Sequence, residues 1–174
     1  MSDALRDRVA LVTGGGRGIG RAIALRLARS GARVAVLARS VSELEQTAAL
    51  IADQGKSGLA VVADVSDPSG VEAALAAVRS EMGPVNVLVN NAAVVWPLGP
   101  SAEIDLGEWA AAVAINVTGV ARLSFGVLPG MLERRWGRIV NVSSGIAASP
   151  AAMLRANAYA TTNLGLSSGM SAGC

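Results

Sequence analysis

The feature that most constrains this chain stands near its beginning. A short apolar run, Arg8 to Thr13, ends in Gly14-Gly15-Gly16-Arg17-Gly18-Ile19-Gly20, and a helical pattern follows from Arg21 to Ser30. Glycine fills five of those seven positions. A merely tight turn does not need so many. A backbone that must bend sharply and let an anion reach a helix N-terminus does, because free N–H groups and the helix dipole both favour negative charge there. The order strand, glycine turn, helix is therefore read as the opening of a nucleotide-binding unit. The rival phosphate loop, GxxxxGK followed by Ser or Thr, would place Gly15 and Gly20 correctly. Arg21 and Ala22 stand where its lysine and magnesium-binding hydroxyl belong, so the NTPase class is disfavoured.

The rest of the chain repeats the alternation. Candidate strands are Arg8 to Thr13, Arg33 to Ala38, Leu59 to Ala63, Asn86 to Val89 and Arg138 to Val142, and apart from their asparagines they read as runs buried on both faces. Helical patterns lie between them. Ser42 and Glu45 have capping-box spacing, and Asp67 before Pro68 reads as an N-cap and first helical residue. Val71, Ala74, Leu75, Val78 and Met82 then form one apolar face. Five strands alternating with helices predict an α/β fold, a doubly wound parallel sheet in three αβα layers of Rossmann type, with ligands beyond the carboxyl ends of the strands. At 174 residues, one dinucleotide-binding domain over 1–174 is expected. Residues 156–174 form an atypical end: they carry no charge, and Gly165, Gly169 and Gly173 interrupt a helix that would start near Tyr159.

Absences narrow the function. The chain has no histidine, which removes a Ser-His-Asp triad, a histidine base and a histidine-ligated metal, and no metal site is expected. Its one cysteine, Cys174, points to a reducing compartment, read as the cytoplasm. Fourteen arginines are scattered from Arg6 to Arg155 and aromatic residues number five, so neither a basic stripe nor stacking platforms for nucleic acid are present. The N-terminal segment lacks the pattern of a signal peptide, and no run of 18 apolar residues is free of polar interruption, so no membrane partner is expected. Asn116 stands out. It falls within the helical stripe of Trp109, Val113, Val120, Leu123 and Val127, where a buried amide needs partners.

Several of these segments resemble the short-chain dehydrogenase/reductase family, over nearly the whole chain. The Gly14-x3-Gly18-x-Gly20 spacing behind Thr13 is similar to its cofactor motif, and Asp64-Val65 to its adenine contact. Asn90-Asn91-Ala92-Ala93 resembles its NNAG motif with alanine in the last place. Asn116, Ser144 and Tyr159 match its active-site asparagine, serine and tyrosine. The resemblance implies a dinucleotide held by Gly14, Gly16, Arg17, Gly18, Ile19, Gly20, Arg39, Asp64, Val65, Asn91, Ala92 and Tyr159. It implies hydride transfer between nicotinamide and a carbonyl/alcohol pair, with Tyr159 moving the proton, Ser144 bonding the reacting oxygen and Asn116 holding a relay water. A small carbonyl or alcohol substrate and a homo-oligomer are implied with it. The cofactor choice is read at the end of the second strand. Ala38 stands where an acidic residue would accept a ribose 2′-OH, and Arg39 and Arg17 suit a 2′-phosphate, so NADP(H) is favoured over NAD(H).

The sequence departs from the family pattern twice. Asn163 stands four residues after Tyr159, where the family has a lysine whose charge assists the tyrosine, and the chain's only lysine is Lys56. Family members also continue through two further strands and a substrate-covering segment. Two expectations follow: an NADP(H)-dependent oxidoreductase, or a dinucleotide-binding module or shortened chain of the same fold without catalysis.

Overall fold

The computed structural model describes residues 4–145, 156 and 158–163. Five strands, β1 (Val9–Thr13), β2 (Arg33–Ala38), β3 (Gly58–Val62), β4 (Val87–Asn90) and β5 (Arg138–Asn141), form one parallel sheet in the order β3-β2-β1-β4-β5. Each expected strand is present within one residue at either end. The reversal of winding falls between β1 and β4, which pair through Ala10–Val87, Leu11–Leu88 and Val12–Val89. Crossover helices are α1 (Gly18–Arg29), α2 (Val41–Ala52), α3 (Pro68–Met82), then α4 (Leu106–Val113) and α5 (Val120–Glu133) joined by a π-helical turn, Ala114–Gly119. A helical stretch over 158–163, α6, carries Tyr159.

The two faces of the sheet separate by residue parity, as the pleat requires. Val9 and Leu11 of β1 pack with Ala35, Leu37, Leu88, Val71, Val78, Leu123 and Val127, so α3 and α5 cover that face. Ala10 and Val12 pack with Val34, Val36, Val87, Val89, Ala24, Ala28, Leu44 and Ile51, so α1 and α2 cover the other. This is the expected doubly wound, three-layer arrangement. The residues Leu106–Glu133 form one helix long and apolar enough to cross a membrane by length and composition. Its inner face is instead spent on the core through Leu123, Val127 and Met131.

Two expectations need correction. Burial on both faces holds for β1 and β4 and nearly for β2, but β3 and β5 are the outer strands among the described residues, and Val62 and Val140 are exposed. An edge strand has a neighbour on one side only, so continuous apolarity in sequence does not ensure two covered faces. The cap of α2 is Ser40, whose Oγ accepts from the Glu43 N–H, rather than Ser42 with Glu45. The helix buries Leu44, Thr47 and Ile51. The N-cap at Asp67, with Pro68 in the first turn, is as expected, its carboxylate accepting from the Ser69 and Gly70 N–H groups.

Candidate active site

A cleft of about 340 Å³ opens beyond the carboxyl ends of β1 to β4, at the winding reversal where this fold class binds ligands. Its walls include Gly14, Gly16, Arg17, Ala38, Arg39, Asp64, Val65, Asn91, Ala92 and Val94. Eight of the residues singled out for cofactor binding are thus brought together. Gly18, Ile19 and Gly20 are not among the lining residues; they form the first turn of α1 beside the cleft, and Ile19 is exposed.

The glycine turn is shaped by close approach. Gly14 has φ +61°, a left-handed conformation that side chains disfavour, and a Cβ on Gly20 would overlap the Gly14 carbonyl oxygen. Helices α2, α3 and α4 are each capped by a side chain, from Ser40, Asp67 and Asp105, but α1 is not, and no acidic residue lies in its first turn. The orphan N–H groups of its first turn suit an anionic ligand. Behind the turn, Arg21 donates from Nε to the Gly16 carbonyl (2.9 Å) and to Thr47 Oγ1 (2.9 Å), and Thr47 Oγ1 donates to the same carbonyl (3.1 Å). These two side chains pin the turn to α2. The sequence signal was a polar residue, Thr47, in the apolar stripe of α2, the same kind of signal that singled out Asn116.

Thr13 fastens β1 to the segment after β4. Its Oγ1 accepts from the N–H groups of Asn91 and Ala92, both at 2.9 Å, while Asn91 Nδ2 donates back to the Thr13 carbonyl (3.0 Å) and the Gly14 carbonyl (3.3 Å). Asn91 therefore fixes the floor of the cleft. At the cleft's outer end, Arg39 lies 3.6 Å from Asp64 and Arg17 lies 3.6 Å from Glu43. Both arginines are well exposed, so these pairs are weak and leave the guanidiniums able to exchange partners. Burial pushes the Asp64 carboxyl up, but hydrogen bonds from the Ser66 hydroxyl (2.6 Å) and N–H (2.9 Å), with Arg39 nearby, outweigh it and hold the group below the usual aspartate value. Arg122 of α5 donates to the Val65 carbonyl (3.1 Å), bracing the same wall across 57 residues of chain.

Asn116, Ser144 and Tyr159 are not among the residues lining the cleft; buried amides link the elements that carry them. Asn116 is 2% exposed and sits in the π-helical turn, a device that re-aims a side chain within a helix. Its Oδ1 accepts from the Val94 N–H (2.9 Å), and its Nδ2 donates to the Val94 carbonyl (2.8 Å) and to Thr162 Oγ1 (3.2 Å). A cleft-lining residue is thereby tied to the helix of Tyr159. Asn163, 4% exposed, accepts at Oδ1 from the Ser143 hydroxyl and the Ser144 N–H, both 3.1 Å, and donates from Nδ2 to the Tyr159 carbonyl (2.8 Å). Thr162 and Asn163 were not singled out for these roles from sequence. Lys56 lies between α2 and β3, at the opposite end of the sheet. Among the described residues no cluster of acidic, cysteine or histidine side chains could hold a metal.

The profile of the short chain dehydrogenase family matches residues 8–172. The chain belongs to that family. A 3-oxoacyl-(acyl-carrier-protein) reductase of Vibrio cholerae is 42% identical over 80% of this chain and 56% of its own length. A 2,3-dihydro-2,3-dihydroxybenzoate dehydrogenase of Bacillus subtilis is 35% identical over 88% of this chain and 59% of its own. The short-chain dehydrogenase therefore spans a little over half the length of these relatives. Among solved structures, a metagenomic short-chain oxidoreductase in complex with NADP superposes with TM-score 0.88 at 35% identity, covering 94% of this chain and 73% of that one. An actinorhodin polyketide ketoreductase with NADPH gives 0.87 at 39%, covering 95% and 63%. An NAD+-bound xylitol dehydrogenase gives 0.87 at 30%, covering 93% and 62%.

Proposed function

We propose that this short-chain dehydrogenase is an NADP(H)-dependent oxidoreductase that interconverts a small carbonyl compound and its alcohol. The observation that carries the reading is the junction at Asn116. One amide joins Val94, on the cleft wall, to Thr162 on the helix that bears Tyr159, which supports a site shared by the cleft and that helix.

The uncapped α1 N-terminus and the glycine turn would hold the diphosphate; Asp64 and Val65 would flank the adenosine half, over a floor that includes Asn91 and Ala92. Arg39 and Arg17 would turn from their carboxylate partners to a 2′-phosphate, and Ala38 offers no carboxylate to repel it. When bound, the cofactor supplies or accepts the hydride. Tyr159 gives a proton to the carbonyl oxygen in reduction and takes it in oxidation, and Ser144 hydrogen-bonds that oxygen as charge builds on it. Relatives named as reductases and dehydrogenases support turnover over binding alone. NADP- and NADPH-bound neighbours support the phosphate-bearing cofactor, against one NAD+-bound neighbour. A cytoplasmic location agrees with the lone cysteine, and a homo-oligomer agrees with the exposed apolar side chains Phe125 and Leu132 on α5.

Fluorescence titration with NADPH and NADH, followed by turnover on a panel of ketones, tests the proposal. Tighter NADPH binding and turnover abolished by Tyr159→Phe are expected. Equal affinities, or activity retained without the phenol, would overturn it.

A further inference from the structure

The position four residues after Tyr159 carries a neutral amide that is almost fully buried and fully engaged on its acceptor side. Asn163 Oδ1 takes two donors from consecutive residues of the loop after β5, the Ser143 hydroxyl and the Ser144 N–H. Its Nδ2 reaches back one turn to the Tyr159 carbonyl. A single side chain therefore spans from the backbone of the expected serine to that of the expected tyrosine. Thr162 of the same helix is tied instead to Asn116.

We infer that Asn163 is a positioning residue that holds the Ser144 loop against the Tyr159 helix and so sets the spacing of the two groups that share the reacting oxygen. The inference rests on the oxidoreductase reading. Physically, Oδ1 is a buried acceptor that can satisfy both loop donors only at one register of loop against helix. Sliding the loop leaves the buried Asn163 Oδ1 without its two donors, a loss that water reaches poorly on the helix side although Ser143 itself is exposed. A positively charged side chain has no acceptor and could not make this clamp. The amide thus performs a geometric task in place of an electrostatic one.

The test compares Asn163→Leu, which keeps the size and removes both polar functions, with Asn163→Asp, which keeps the acceptor. Two readouts separate the clamp from the reaction. Hydrogen exchange at the Ser144 amide should speed up about tenfold or more in Asn163→Leu and stay near the wild-type rate in Asn163→Asp. The Val142 amide, bonded to the Asn90 carbonyl, should not change in either. In turnover, kcat should fall about 10- to 100-fold in Asn163→Leu with KM and the NADPH dissociation constant held within about twofold, and Asn163→Asp should recover most of the loss. Unchanged Ser144 exchange in Asn163→Leu overturns the clamp whether or not the protein turns over. An intact clamp in a wild-type protein that reduces no ketone overturns the oxidoreductase reading and, with it, the catalytic purpose assigned to Asn163. A fall in kcat with matching losses in KM and cofactor affinity assigns Asn163 to general stability and also overturns the inference.

Discussion

Single side chains at the cleft make predictions of different kinds because their surroundings differ. Arg39 is exposed and held by one weak pair, so its loss costs little in the free protein and much in the complex. Arg39→Ala should weaken NADPH binding by about 1–3 kcal/mol, the scale of a charged hydrogen bond, and leave NADH binding unchanged in parallel titrations. Asp64 speaks through pH. Its folded-state pKa lies below the unfolded value, so its stabilising effect is present above the unfolded pKa and fades as pH falls through the folded one. Asp64→Asn should therefore unfold at lower urea than wild type near neutral pH, with the gap narrowing as the pH falls below the ordinary aspartate range and the carboxylate protonates. Urea midpoints across that range check the sign. These two residues were visible in sequence because each follows a strand directly. The bracing by Thr47 and Arg122, and the bridge made by Asn163, were not, because each depends on partners that only the folded chain brings near.

Elements are joined at the cleft by buried hydroxyls and amides more than by charge. The β1–β4 junction, where the winding reverses, depends on Thr13, which is 1% exposed and accepts two backbone N–H groups from the segment after β4. Thr13→Val preserves shape and removes the acceptor. Each orphaned donor costs about 1–3 kcal/mol, so denaturant unfolding should show a clear loss, Thr13→Ser should restore most of it, and cofactor affinity should fall with the displaced Asn91 floor. The long helix is shaped by a similar use of a polar group. Its apolar stripe was legible by period, including the misfit of Asn116. The π-helical turn that lets Asn116 serve both Val94 and Thr162 was not, since one extra residue in a helical turn leaves no compositional mark.

Among the described residues, the sheet exposes apolar side chains on both outer strands, Val62 on β3 and Val140 on β5. Apolar edges template association, and lysine is a common means of blunting them. Light scattering over a concentration series should show self-association that falls in Val140→Lys, with the unfolding free energy changed by no more than about 0.5 kcal/mol, as for an ordinary surface substitution. Local order in the sequence by itself determined the strand count, the parallel winding, the place of the cleft and the glycine turn, because alternation, periodicity and a glycine cluster are encoded within a few residues of one another. The same holds for the family, whose motifs are short and lie at strand ends. Tertiary structure alone decided which strands keep an open face, that Ser40 rather than Ser42 caps α2, that Arg39 and Arg17 face carboxylates at the mouth of the cleft, and that Asn163 bridges the serine loop to the tyrosine helix. Those outcomes depend on which distant groups a side chain meets once the sheet is wound, and a buried polar atom takes whichever partner the packing brings within hydrogen-bonding distance.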